Sequence, residues 1–223
     1  RVSDAHFNVS AGYAYSDLGR EKLDELYARV FGAERALVRT QFVSGTHALA
    51  TVLFGILRPG DRLVSITGTP YDTMQTVIGW AHESCGSLKE FGVSYDELPM
   101  HEGHVDLAGI ARIVTPETKV ALVQRSRGYS ERQPLSIADI RAVSARIKAA
   151  NPNCIVFVDN CYGEFVETEE PTAIADVDIM AGSLIKNPGG GLAPTGGYIA
   201  GRSDLVEMAS YRLTAPGMGD ELG

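Results

Sequence analysis

Cysteine is scarce in this chain, and so is positive charge. Its three thiols, Cys85, Cys154 and Cys161, cannot form a fully paired framework, and none lies in a Cys-x-x-Cys arrangement. That excludes a disulfide scaffold and reads as a protein of the reducing cytoplasm with buried thiols. Lys and Arg number 20 against 28 Asp and Glu, a net charge of -8. No basic block offsets it, which argues against a nucleic-acid binder. No apolar run approaches the ~18 residues of a membrane-spanning helix, and no signal-peptide pattern is visible. The chain opens at Arg1 rather than Met, so the expectation is that a native N-terminus lies upstream. The Gly-Lys-Ser/Thr of a P-loop and the Gly-x-Gly-x-x-Gly of a dinucleotide fold are both absent. His47, His82, His101 and His104 have no metal-ligand spacing; His101-Glu-Gly-His104 reads as a turn, and no metal is expected. Repeats, low-complexity segments and linker-like composition are missing too.

What remains is 223 residues, 44% hydrophobic and 22% charged, enough to bury a sizeable core. Residues 1–15 read as a polar arm. Ser16 or Asp17 caps a helix with an apolar stripe of Leu23, Leu26, Tyr27 and Val30, ended by Gly32. Ala36–Val38 is a short strand, and a helix with Leu49, Val52, Leu53 and Ile56 on one face follows. Strands are expected at 62–66, 88–91, 119–124, 154–158, 177–181 and 196–200. Helices are expected after Asp72, near 107–114, over 134–150 and from Ser203. Alternating strands and helices predict βαβ units: an α/β protein with a mostly parallel sheet covered by helices on both faces. One such domain, with 1–35 as arm and helix and 36–223 as the large domain, is the economical reading.

The chemistry gathers around Ser183-Leu-Ile-Lys186-Asn-Pro-Gly-Gly-Gly191. Lys186 alone would be a surface lysine, but the glycines bring the backbone close to something bulky, and crowding of that kind desolvates an amine. Upstream, the buried run Cys154–Val158 ends in Asp159, at the sheet edge where ligands sit in open α/β folds. A strand-end aspartate followed by a serine and a lysine is the pattern expected for pyridoxal 5'-phosphate (PLP). The lysine forms a Schiff base and the aspartate pairs with the pyridinium nitrogen. Asp159 could equally be a helix cap or a solvated loop acid. Ser44-Gly45-Thr46-His47, between strand and helix, suits a phosphate at a helix N-terminus or a plain cap with a turn glycine. Tyr71 could stack on a cofactor ring or be a half-buried loop tyrosine. Arg125 and Arg127 could recognise a carboxylate or phosphate, or make surface salt bridges. Cys161 reads as a buried thiol.

At these residues the chain resembles the fold-type I PLP enzymes. Within them it looks like the aluminium resistance protein family, related to methionine gamma-lyase and cystathionine beta/gamma-lyase. The likeness rests on Ser44–Ala48, Gln124–Ser130, Val158–Phe165 and Ser183–Gly191, in that order, and runs over nearly the whole chain. It implies a three-layer αβα fold in which Lys186 holds PLP and Asp159 meets its ring nitrogen. Ser44, Gly45, Thr46 and Ser183 would bind the phosphate, and Tyr71 would stack on the ring. Tyr15 enters as a substrate-side residue with Arg125 and Arg127. The relatives' Tyr-Ser-Arg is here Tyr15-Ser16-Asp17, and their Glu-x-Pro-x-Asn-Pro loop is here Gln124–Tyr129. The resemblance further implies a homodimer or homotetramer, and a C-terminal small domain beyond Gly223 carrying the arginine for the substrate α-carboxylate.

The activity expected is elimination at a carbon–sulfur bond of an amino acid such as cystathionine or methionine. An aminotransferase or another amino-acid lyase is the alternative on the same scaffold. From other classes come a non-catalytic ligand-binding fragment and a phosphate-ester hydrolase using Ser44 and His47.

Overall fold

A computed structural model describes residues 1–8, 17–80 and 85–220. Seven strands follow the order β1-β7-β6-β5-β4-β2-β3. They are β1 Arg35–Arg39, β2 Arg62–Ser65, β3 Ser94–Glu97, β4 Thr118–Gln124, β5 Ile155–Asp159, β6 Ile179–Ser183 and β7 Gly197–Gly201. The helices are α1 Leu18–Phe31, α2 Gly45–Ile56, α3 Asp72–Ile78, α4 Ile110–Ile113, α5 Ile137–Ala150 and α6 Ser203–Ser210. Every residue of β5, β6 and β7 is buried, the signature of strands covered on both faces. The architecture is the expected αβα sandwich about a mostly parallel sheet. The chain divides into two compact units, Arg1–Ile56 with Ala181–Gly223, and Leu57–Met180.

In the first unit, β1 runs antiparallel to β7, with Leu37 opposite Ile199. The Asp17 carboxylate accepts the Arg20 N–H at 2.9 Å to start α1, and Gly32, at φ 66, ends it in the left-handed conformation. The expected stripe of α1 needs correcting. Leu23, Leu26 and Val30 are exposed, whereas Ala28 and Phe31 are buried. Tyr27 and Phe31 pack on Tyr198 of β7, with ring centroids 5.9 and 5.1 Å away. The inward stripe is therefore Asp24, Tyr27, Ala28 and Phe31, at i, i+3, i+4 and i+7. Its one polar member binds the buried Arg39 guanidinium through both oxygens, at 2.8 and 2.9 Å, and accepts the Val38 N–H at 2.7 Å. Helix α2 has Leu49, Val52, Leu53 and Ile56 buried as expected. Gly55 lets α6 approach closely, since a Cβ there would lie 2.7 Å from the Cα of Ala209.

In the second unit, β5, β4, β2 and β3 are parallel neighbours in that order. The strand expected at 88–91 is a turn instead, and the strand lies at Ser94–Glu97. Leu88 is buried there by turn bonds rather than by a ladder. Its N–H donates to the Val77 carbonyl, and Gly92 N–H closes on Lys89. The helix expected over 107–114 shrinks to Ile110–Ile113. Helix α5 begins at Ile137, not Pro134, because Ser136 and Asp139 form a reciprocal capping box, and such a box sets a helix start.

Candidate functional site

In the second unit, the carboxyl ends of three parallel strands converge. Gln124 closes β4 opposite Asp159, which closes β5, and Arg125 N–H continues the ladder to the Asp159 carbonyl at 3.0 Å. The Asp159 side chain is 2% exposed, and its Oδ1 accepts the Cys161 N–H at 3.1 Å. Gln124 ties in the neighbouring strand: its N–H donates to Thr67 Oγ1 at 3.0 Å, and its Oε1 accepts the Tyr71 N–H at 3.3 Å. Tyr71, half-buried, caps the start of α3. This is the ligand edge of an open parallel sheet, and it holds Tyr71, Gln124 and Asp159.

Arg125 turns inward. Its side chain is 3% exposed and donates to Asn160 Oδ1 at 2.8 Å, Gly163 O at 2.9 Å, Glu167 Oε1 at 2.9 Å and Leu135 O at 3.3 Å. Glu170, buried, lies 3.5 Å away and accepts the Phe165 N–H at 2.7 Å. Loop 160–170 is wound round this guanidinium, and Gly163 permits it, since a Cβ there would sit 2.4 Å from the arginine Cδ. Two non-glycine residues of the loop, Tyr162 at φ 68 and Phe165 at φ 61, hold left-handed backbone. That conformation costs about 1–3 kcal/mol each and persists where surroundings over-determine it. Arg125 thus organises the loop after Asp159, whereas Arg127 is exposed and lines the cleft beside Tyr71. That cleft has a volume of about 980 Å³. It is also lined by Arg132, which sequence reasoning passed over because a lone arginine in a polar loop carries no signal of burial.

The first unit carries the other candidates. Helix α2 starts at Gly45, and Ser44 Oγ accepts the His47 backbone N–H at 3.1 Å, a capping bond. Gly45 is buried and Thr46 half-buried. His47 Nδ1 accepts the Val43 N–H at 3.2 Å, and burial holds the imidazole pKa below its ordinary value. The Ser44 and His47 side chains do not bond each other, which leaves the hydrolase reading without a nucleophile–base pair. Ser183 ends β6 fully buried, its Oγ accepting the Ile185 N–H at 3.3 Å. Lys186 is half-buried at φ -100, ψ -139, ahead of the short turn Asn187–Gly189. A Cβ on Gly189 would lie 1.8 Å from the Leu184 carbonyl oxygen, so the lysine loop folds tightly on itself. Tyr15 and Ser16, like His82, lie outside the described residues. His101 and His104 close a two-residue turn with mutual backbone bonds of 2.8 Å. Among the described residues no cluster of His, Cys, Asp and Glu has the make-up of a metal site. None of their helices is long and apolar enough to cross a membrane.

Comparison with known proteins adds the family. The uncharacterized protein YnbB of Bacillus subtilis (strain 168) is 51% identical over all of this chain and 53% of its own length. A solved structure of a carbon-sulfur lyase involved in aluminum resistance, from Clostridium novyi NT, superposes with a TM-score of 0.94. It is 50% identical and matches 100% of this chain and 53% of its own. An L-methionine gamma-lyase of Pseudomonas putida is 28% identical over 96% of this chain and 48% of its own. The chain spans about half the length of the curated relatives it matches. The family model described as methionine gamma-lyase matches residues 1–223, the whole of the chain. This chain belongs to the methionine gamma-lyase family.

Proposed function

We propose that the chain carries the cofactor-binding part of a PLP-dependent carbon–sulfur lyase that eliminates a thiol from a sulfur amino acid such as cystathionine or methionine. The observation that carries this reading is Asp159. A carboxylate 2% exposed at the end of a central parallel strand, its Oδ1 accepting the Cys161 N–H at 3.1 Å, is further favoured in its ionised form by an opposite charge beside it, and a pyridinium nitrogen would supply one. The donor set therefore fits PLP, which when bound supplies an electron sink for charge developing at the substrate Cα.

The remaining roles fall to this chain's own side chains. Asp159 keeps the ring nitrogen protonated. The Lys186 amine would hold the cofactor and, as a free amine, would be the base that takes the proton from Cα. Ser44, Gly45, Thr46 and Ser183 offer hydroxyls and N–H groups to the phosphate, at a helix start whose dipole favours an anion. Tyr71 covers the ring and excludes water from one face. A cytoplasmic location and a second copy of the chain as partner complete the proposal. That Cys85 and Cys154 are thiols rather than disulfides suits the first.

The experiment is a visible spectrum of the full-length protein, followed by incubation with cystathionine or methionine and assay for pyruvate and 2-oxobutyrate. A cofactor band lost in Lys186→Ala, together with release of one of the ketoacids, is expected. A band that survives the substitution refutes the lysine assignment, and absence of both ketoacids from cofactor-loaded protein refutes the lyase. Conversion of the cofactor to its amine form would instead mark an aminotransferase.

A further inference from the structure

Loop 160–170 carries four acids, Glu164, Glu167, Glu169 and Glu170, and neither lysine nor arginine. Like charges drawn into one tight loop repel, so the counter-charge has to come from elsewhere. Arg125, at the end of the neighbouring strand, pairs with Glu167 at 2.9 Å and Glu170 at 3.5 Å. The exposed Arg141 of α5 takes Glu169 at 2.8 Å. Arg125 does more than neutralise. Its Nη1 donates to Asn160 Oδ1 at 2.8 Å and to Gly163 O at 2.9 Å. Gly163 N–H donates in turn to Asn160 O at 2.8 Å, closing the turn 160–163. Asn160 is fully buried, and its Nδ2 donates to Glu170 Oε2 at 3.0 Å. Within that turn lies the Cys161 N–H that holds Asp159 Oδ1 at 3.1 Å. The backbone N–H of Arg125 meanwhile takes the Asp159 carbonyl at 3.0 Å. One residue thus grips both the main chain of Asp159 and the turn that aims its carboxylate. The planar fork of donors makes this possible, and a lysine lacks it.

We propose that Arg125 is a positioning residue for the cofactor's ring nitrogen, acting through the turn 160–163 to hold the Asp159 carboxylate in the direction that keeps that nitrogen protonated. This role rests on the Asp159 assignment made above and lies wholly within the second unit. A charged hydrogen bond is strong only when short and well aligned, so a misdirected carboxylate leaves the nitrogen easier to deprotonate. The sign separates positioning from plain electrostatics. Removing a cation from the surroundings of a pyridinium favours its protonated form. Charge loss alone therefore raises the titration midpoint of the ring nitrogen, whereas loss of direction lowers it.

The test is solid-state NMR of full-length protein loaded with PLP isotopically labelled at the ring nitrogen, titrated with pH. The signal reads protonation of that nitrogen in folded, loaded molecules and needs no turnover. Asp159→Asn sets the reference, with a midpoint expected to fall by about one to three pH units, the effect of losing an opposite charge. Arg125→Gln is expected to lower it by about one unit, a tenfold change in the ratio of protonated to neutral ring. Asn160→Ala cuts the link to the turn while leaving Arg125 and Glu170 paired. It is expected to lower the midpoint too, and it decides the matter if Arg125→Gln does not fold. Arg141→Gln, which removes the other cation bound to the loop, should leave the midpoint where it is. An unchanged or raised midpoint in Arg125→Gln or in Asn160→Ala overturns the proposal. So does an equal fall in Arg141→Gln, which would reduce the effect to the charge of the loop. Asp159→Asn without effect removes the Asp159 assignment itself, and a fall in Asp159→Asn with none in Arg125→Gln removes the positioning role alone.

Discussion

Burial behind β5 pushes the Cys154 thiol up to about 12 from an ordinary 9.0, with Lys148 opposing the shift and Asp178 adding to it. At pH 8 roughly one such thiol in ten thousand is ionised, and the thiolate is the nucleophile. Cys154 in folded protein is therefore expected to resist a thiol reagent at pH 8 for hours, while the exposed Cys85 reacts within minutes; mass spectrometry of labelled peptides reads both. The shift also sets a pH dependence. The folded pKa lies above the unfolded one, so the contribution to stability is complete below pH 9 and is lost as pH rises toward 12. Urea midpoints should fall across that window, and less steeply in Cys154→Ala. At this scale, legibility followed local pattern. Asp159 could be placed at a strand end because four apolar residues precede it, and Lys186 stood out because glycines follow. Arg132 could not be found, since its burial comes from carbonyls of Gln124 and Ser126 folding back over it. No residue type records that arrangement.

The joint between α1 and β1 turns on one ion pair. Asp24 reaches from the helix to Arg39, whose side chain is 3% exposed. Burial pushes the Asp24 carboxyl above its ordinary range even though Arg39 pulls the other way, as expected where desolvation rivals the Coulombic gain. Removing one partner is the damaging change. Asp24→Ala strands a buried guanidinium and frees the Val38 N–H, and a loss of about 3–5 kcal/mol is expected from chemical denaturation. Asp24→Leu with Arg39→Met, which removes both charges, should recover most of it. If the double substitution is as damaging as the single one, packing rather than charge holds the joint. The same pair explains a misread helix. Leu23, Leu26 and Val30 form the more apolar stripe, so an acid at position 24 argued against the face that is in fact buried. Strands β4 and β5 were legible because continuous apolar runs between turn signals mark covered parallel strands. The short α4 and the polar β3, Ser94–Glu97, carry no such periodicity and were placed wrongly or too long.

The face that α1 turns outward has a consequence for the assembled molecule. Leu23, Leu26 and Val30 are 39%, 43% and 53% exposed, and Leu23 and Leu26 line a groove of about 730 Å³ with Val2 and Phe7. Single exposed apolar residues are ordinary, whereas a contiguous row along one helix is where an interface is to be sought. The occupant we expect is a second copy of the chain, since closed two-fold dimers are the commonest soluble assembly and pair a patch with itself. Each α1 would then cover the other's stripe, so one substitution acts twice. Leu26→Glu places a carboxylate in that row without touching Asp24, Tyr27, Ala28 or Phe31, so the monomer fold is preserved and far-ultraviolet circular dichroism should be unchanged. Sedimentation velocity of the full-length protein should show a dimer or tetramer for the unsubstituted form. The dimer dissociation constant should be at least about tenfold weaker in Leu26→Glu, because burying two unpaired carboxylates costs more than the apolar contact returns. A substituted protein that sediments like its parent would show that this face lies outside the interface, and a monomeric parent would show that the stripe needs another partner.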